Sequence, residues 1–220
     1  MSGQTGCAGI MVDASGENQI VVAPGVNLGL RAAHVSDQLL ASARTLLLQM
    51  ETDATENAVL IERAKRLGCQ VVLNNAPARA LAGDVLHAID VLIVNQTELA
   101  TTAHGAGITA GDAPALLHAL ARRFALTVVL TLGGDGVLAC AGDAAPLRLP
   151  ALPVAVVDTT GAGDTFAGVF TAARVEQRPL REALQRGIVA AGLACTRAGA
   201  QRAQPDRAEI EAALRRYPAS

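Results

Sequence analysis

Asp158-Thr159-Thr160-Gly161-Ala162-Gly163-Asp164-Thr165-Phe166-Ala167-Gly168 is the stretch on which the reading of this chain turns. It follows a run of β-forming residues at 152–157 and opens into a helix-compatible segment at 165–174. Gly161 and Gly163 allow a tight turn and let main-chain N–H groups come close to a ligand. At a helix start those N–H groups lack intrahelical partners, and the macrodipole favours negative charge. A phosphate fits such a turn. Asp164 is then the odd residue, because a carboxylate repels the anion the turn welcomes. The conflict resolves if the carboxylate takes a proton from a hydroxyl that attacks the phosphate. Read alone, the same string is also an ordinary capped helix start, and short glycine motifs mislead often.

Working outward, 220 residues make one large or two small domains with room for a substantial core. Apolar residues are 51% of the chain but aromatics only 2%, so Ala, Val and Leu must fill that core. Eighteen basic residues against twenty acidic ones leave a net charge of −2, with no block of either sign. This argues against a nucleic-acid partner or a membrane surface. No apolar run reaches the roughly 18 residues of a spanning helix. The expectation is a soluble, cytoplasmic protein. Cys7, Cys69, Cys140 and Cys195 form no C-x-x-C pair and read as buried, reduced thiols. The four histidines have no ligand-like spacing.

In chain order, residues 6–12 and 19–23 read as a hairpin across a turn-rich link from Asp13 to Asn18. Residues 34–43 look helical and 44–50 form a short strand. Residues 55–67 carry apolar positions at helical spacing and end at Gly68 as a C-cap. Strands follow at 70–73, 91–94 and 127–131, alternating with helices at 80–88, from Thr97, and at 113–124. Leu132 to Gly136 is a tight turn, and 137–140 with 146–149 are short antiparallel strands. Helices at 163–176, 180–196 and 206–217 complete the chain. The alternation predicts an α/β fold, a Rossmann-like three-layer sandwich with a mainly parallel sheet. Ligands of such sheets bind beyond the carboxyl ends of the strands, where Asn95, Glu98, Gly133 and the glycine stretch all fall.

The string DTTGAGDTFAG closely resembles the C-terminal signature of the ribokinase-like (PfkB) family of sugar and nucleoside kinases. Further likenesses run in order along nearly the whole chain. GCAGIMVDASGENQIVVAPGVN resembles part of that family's lid hairpin, LLLQMET the strand whose Glu sits near the sugar, and VNQTELA its N-x-x-E motif. LNNAPAR resembles the ribokinase branch's LNPAPAR, and TLGGDGV the nucleotide-binding turn. The resemblance implies Asp164 as catalytic base and sugar contact, with Gly161, Ala162 and Gly163 as the anion hole. It implies Asn95, Thr131 and Gly133 at the nucleotide, Glu51 at the sugar, and Glu98 at magnesium through its water shell. ACTRAGAQ resembles the loop that, with Asp158 and Thr160, holds a monovalent cation such as potassium, through Ala194, Arg197 and Gly199. Here Ala203 stands where a Ser is common, and Gly187 where an Asn lies near the adenine.

The family's opening strand, with its sugar-gripping Asn and Asp, and its Gly-Gly-Lys-Gly-Ala-Asn helix have no counterpart in these residues. The resemblance therefore implies an N-terminally truncated fold, with a partial lid hairpin and following loop at 1–30 and a catalytic domain at 31–220. Exposed apolar neighbours, dimerisation through the hairpin, or dependence on another chain would follow. The expected activity is ATP-dependent phosphorylation of a sugar hydroxyl, ribose to ribose 5-phosphate. The rival is a catalytically silent nucleotide-binding remnant acting through a partner. A Rossmann dehydrogenase is disfavoured, because the glycine motif lies far from the first βα turn and no G-x-G-x-x-G is present.

Overall fold

The computed structural model describes residues 3–12 and 18–218. Strands β1 (Cys7–Val12) and β2 (Asn18–Ala23) pair antiparallel as a separate two-stranded sheet. Of the link expected between them from Asp13 to Asn18, residues 13–17 lie outside the described residues, and Asn18 is the first residue of β2. The main sheet has six strands in sequence order. They are β3 (Thr45–Leu48), β4 (Gln70–Asn74), β5 (Val91–Val94), β6 (Thr127–Thr131), β7 (Val137–Ala141) and β8 (Leu147–Leu149). The first four are parallel, and β7 and β8 are added antiparallel. This is the mainly parallel sheet the alternation predicts.

Side chains alternate across the central strands, as a period of two requires. Leu73, Leu92, Val94, Val128 and Leu130 face one core, while Val72, Val91, Ile93 and Val129 face the other. Helices α1 (Asp37–Ser42), α2 (Ala54–Arg66), α3 (Gly83–Ala88), α4 (Gln96–Gly105) and α5 (Ala113–Phe124) lie in the chain between β2 and β6. Four of them contribute Leu40, Ile61, Leu86, Leu117, Leu120 and Phe124 to the first core. Helices α6 (Ala162–Val175), α7 (Leu180–Ala194) and α8 (Arg207–Leu214) close the second with Phe166, Phe170, Leu184, Ile188 and Ile210. Both strand faces are covered, so the architecture is a three-layer sandwich.

Several boundaries move for local reasons. The helix expected at 34–43 starts only at Asp37, because the Ser36 hydroxyl accepts the Leu39 N–H at 3.2 Å and caps it there. The last helix is likewise set by a capping box between Asp206 and Glu209 and is shorter than expected. Gly68 has the left-handed φ of +78° expected of a C-terminal glycine. The larger correction is at 152–157, which is not a strand but an irregular crossing. Pro153 has no N–H for a ladder, and the N–H groups of Val157 and Asp158 both donate to the carbonyl of Cys195 beyond α7. The apolar side chains there line a cavity instead of a sheet face. The cysteines are free, but only Cys69 and Cys140 are buried, and Cys7 on the hairpin is exposed.

The turn at Leu132 to Gly136 is set by backbone proximity. Gly136 has φ of +88°, and a Cβ there would stand 2.1 Å from the Leu149 carbonyl oxygen. Replacing it with Ala forces β7 and β8 apart, at an expected cost of more than about 3 kcal/mol. At about 2–4 °C per kcal/mol for a domain this size, thermal denaturation should show a fall in Tm of at least about 6 °C.

Strand β3 is one of the two outer strands of the sheet, and Leu47 on it is 40% exposed. Its outer edge pairs with no other strand among the described residues. Met11, Val21 and Val22 are exposed on the hairpin. No helix among the described residues is long and apolar enough to cross a membrane.

Candidate active site

The glycine turn sits where sequence places it, at the N-terminus of α6. Gly161 is the N-cap residue, with φ of +74°, a conformation that favours glycine. A Cβ on it would also approach Ala200 at 3.0 Å, so the turn is wedged against the loop after α7. The N–H of Ala162 already donates to the Thr159 carbonyl at 3.2 Å. The N–H groups of Gly163 and Asp164 follow in the first helical turn, where α-helix geometry supplies no intrahelical acceptor. Of the three expected anion-hole residues, Gly163 is the one whose main chain is both unencumbered and open. A Cβ there meets nothing within 4 Å. Asp164 is exposed on the same turn.

The stretch before the turn is held by Asp158. Its carboxylate accepts the N–H of Thr160 at 2.9 Å and that of Gly199 at 2.8 Å. The Gly199 bond, followed by those from Thr160, holds the Asp158 carboxyl below its ordinary range. Thus Asp158, Thr160 and Gly199 are brought together across 41 positions of sequence. Ala194 and Arg197 lie on the adjoining turn, where the Arg197 N–H donates to the Ala194 carbonyl. Each Asp158 oxygen keeps lone-pair capacity, so the set suits a hard monovalent cation. Ala203, fully buried, adds no side-chain oxygen to it.

At the end of β5, Asn95 and Glu98 form a reciprocal capping box. Asn95 Oδ1 accepts the Glu98 N–H at 2.9 Å, and Glu98 Oε2 accepts the Asn95 N–H at 2.7 Å. A solvated helix-start carboxylate is the usual outcome at such a position. Glu98 departs from it, being only 8% exposed. Burial pushes its carboxyl above the ordinary range, against the lowering effect of the Asn95 N–H. Only one of its oxygens is used by the cap. The described residues hold no group of three or more His, Cys, Asp or Glu side chains that could take a metal alone. Magnesium fits this donor set all the same, since it commonly binds one or two carboxylates plus substrate phosphates and keeps its waters.

Thr131 and Gly133, at the end of β6, line a cavity of about 470 Å³ together with Ala162 and Gly163. The Thr131 hydroxyl donates to the Val94 carbonyl at 3.3 Å, joining this wall to the strand that precedes Asn95. Glu51, Asn95, Glu98, Asp158, Thr160 and Asp164 are not in the cavity wall. Glu51 is exposed after β3, against which α6 packs. Its position is held by Gln49, whose Oε1 accepts the Glu51 N–H at 2.6 Å and whose Nε2 donates to the Glu51 carboxylate at 3.3 Å. Sequence reading missed Gln49, and it missed the apolar wall formed by Val156, Phe166 and Ile188. Gly187, the position that the resemblance puts near the adenine, is not in the cavity wall. Gly187 faces the Phe166 ring, where a Cβ would stand at 2.8 Å, and Ile188 is the residue on the cavity wall.

An anion-ready turn and an apolar cleft at the carboxyl edge of a parallel sheet belong to the class of nucleotide-using α/β enzymes. Comparison with known proteins narrows the class. The pfkB family carbohydrate kinase profile matches residues 2–207. The chain belongs to that family of ATP-dependent sugar kinases and has its ribokinase-like fold. A ribokinase of Haemophilus influenzae is 35% identical over 210 residues, covering 93% of this chain and 67% of that protein. A crystal structure of ribokinase from Thermotoga maritima superposes with a TM-score of 0.88 at 30% identity, covering 98% of this chain and 71% of that one. The Arabidopsis thaliana ribokinase complexed with ribose and ATP gives a TM-score of 0.85 at 28% identity, covering 96% and 70%. The chain thus spans about two thirds of the length of these relatives.

Proposed function

We propose that the protein transfers the γ-phosphate of ATP to a primary hydroxyl of a pentose, ribose giving ribose 5-phosphate. The observation that carries this reading is the exposed Asp164 on the first turn of α6, beside the open main chain of Gly163. In it Asp164 accepts the proton of the attacking hydroxyl, and the turn at Gly161, Ala162 and Gly163 stabilises charge on the transferring group. Asn95, Thr131 and Gly133 approach the nucleotide, and Glu51, fixed by Gln49, approaches the sugar. Bound magnesium would neutralise phosphate charge, and Glu98 would hold it through a water. Asp158, Thr160, Ala194, Arg197 and Gly199 would cradle a monovalent cation behind the turn. Relatives named ribokinase, one of them complexed with ribose and ATP, support the choice of sugar. A coupled assay of ADP release with ribose tests it. Release that does not depend on ribose, across a panel of pentoses, would overturn it.

Glu98→Gln separates cap from charge. Gln preserves the capping box, so helix α4 should form as before. Burial raises the folded-state pKa of Glu98, so its contribution to stability is present at low pH and is lost as pH rises through that value. Removing the charge should therefore leave Tm at neutral pH unchanged or slightly higher. Magnesium has the opposite pH sense, since it favours the ionised carboxylate and should bind more tightly as pH rises. The variant should need about 10–100-fold more magnesium and lose that pH dependence. Activity titrated with magnesium at several pH values checks both.

A second reading, a nucleotide-binding protein that acts through another chain, is favoured by the unpaired outer edge of β3 and its exposed Leu47. A homodimer through the hairpin is one form of it. Calorimetry discriminates: ATP binding with neither ribose binding nor turnover is the result this reading expects.

A further inference from the structure

Helix α2 is capped by Asp53, whose carboxylate takes the N–H groups of Thr55 at 2.8 Å and Glu56 at 3.2 Å. The next residue, Asn57, has no capping work left for its side chain. It is 1% exposed and shares its helix face with Leu60, Ile61 and Ala64, all buried. An aliphatic residue is what that face favours, and a buried amide costs free energy unless its hydrogen bonds are made.

The amide makes them to one short segment. Asn57 Nδ2 donates to the Gln49 carbonyl at 2.7 Å and stands 3.7 Å from the Met50 sulfur, and Oδ1 accepts the Thr52 hydroxyl at 2.9 Å. These partners bracket Glu51 on both sides. Between them the Met50 N–H donates to the Ala76 carbonyl at 2.9 Å, which ties the segment to the loop after β4 as well. Glu51 stays exposed, with Gln49 holding its N–H and its carboxylate. Strand β3 ends at Leu48, and past it the Gln49 carbonyl is fixed by Asn57. The Gln49 clamp therefore orients Glu51 from a main chain that Asn57 anchors.

Resting on the reading that Glu51 approaches the sugar, we propose that Asn57 is a positioning residue for sugar binding. Buried as it is, it meets no substrate. It sets, through Gln49 and Thr52, where the Glu51 carboxylate stands. The buried amide serves the sugar site and not the helix that carries it.

The test is Asn57→Leu, which keeps the branching of the side chain and removes both hydrogen bonds. With ATP saturating, the KM for ribose should rise by about 10–100-fold, the loss that a displacement on the order of 1 Å produces. Turnover at saturating ribose should stay within a few-fold, as removal of a ground-state contact gives. ATP affinity, measured by calorimetry without sugar, should be unchanged. Thr52→Val removes one of the two bonds from outside the helix and should raise the same KM by about two- to tenfold, whereas Thr52→Ser keeps the hydroxyl and should match the parent. A lower Tm with an unchanged KM for ribose in Asn57→Leu makes Asn57 a merely structural residue and overturns the inference, with ribose phosphorylation left standing. Should Asn57→Leu not fold, an unchanged KM in Thr52→Val overturns it in the same way. A parent protein with no ribose-dependent turnover overturns the proposed function, and this inference with it.

Discussion

Asp164→Asn is expected to lower turnover by about 10²–10⁴ while leaving ATP binding within a few-fold of the parent protein. The size follows from what is removed. Asn is nearly isosteric and fits the same exposed position on α6, but it cannot take a proton from an attacking hydroxyl. Asp164 is not part of the cavity wall, so a nucleotide bound there, as proposed, keeps the same contacts with the wall. It is also not buried and caps no helix, so folding should be indifferent to the change. A coupled kinetic assay beside calorimetry checks the separation. Loss of ATP affinity in parallel with turnover would make Asp164 a binding residue. Unchanged turnover would return the motif to an ordinary helix start.

The fold was legible because the central strands are short apolar runs bounded by turn residues and helices. Residues 70–74, 91–94 and 127–131 alternate between two cores, and no other element can place such runs. The run at 152–157 has the same composition and is not a strand. Composition records which residues prefer extended backbone, but a strand also needs a neighbour for its N–H groups, and Val157 and Asp158 find theirs beyond α7. The site divides in the same way. The place of Asp164 and the glycines at the start of α6 was readable because glycines and an acidic residue ahead of a helix-compatible run mark a helix start. The burial of Glu98, the clamp of Gln49 on Glu51 and the bridge from Asp158 to Gly199 depend on distant packing. Gly187 and Ile188 show the finest grain of the problem: one residue along a helix turns the side chain by about 100°, from Phe166 to the cavity.

The two glycines of the turn should respond to a methyl group in opposite ways. Gly161→Ala sets a Cβ on a left-handed residue and drives it to 3.0 Å from Ala200. Strain of about 1–2 kcal/mol is expected from the backbone alone, with a Tm lower by about 2–8 °C. The turn must shift to relieve it, and a displaced main-chain donor costs about 10²–10³ in turnover. Gly163→Ala meets no such obstacle, since it lies inside α6 and its Cβ touches nothing within 4 Å. Ala in a helix is favoured over Gly by about 0.5–1 kcal/mol, so stability should hold or rise. Its methyl, however, enters the cavity wall beside the turn, where the proposed function brings the transferring phosphate close to the backbone. Turnover should fall by at least about tenfold in a protein that is as stable as its parent or more so. That divergence is what a glycine kept for a ligand produces, and thermal denaturation paired with kinetics on both variants measures it. Should Gly163→Ala keep full activity, the phosphate does not lie against this turn.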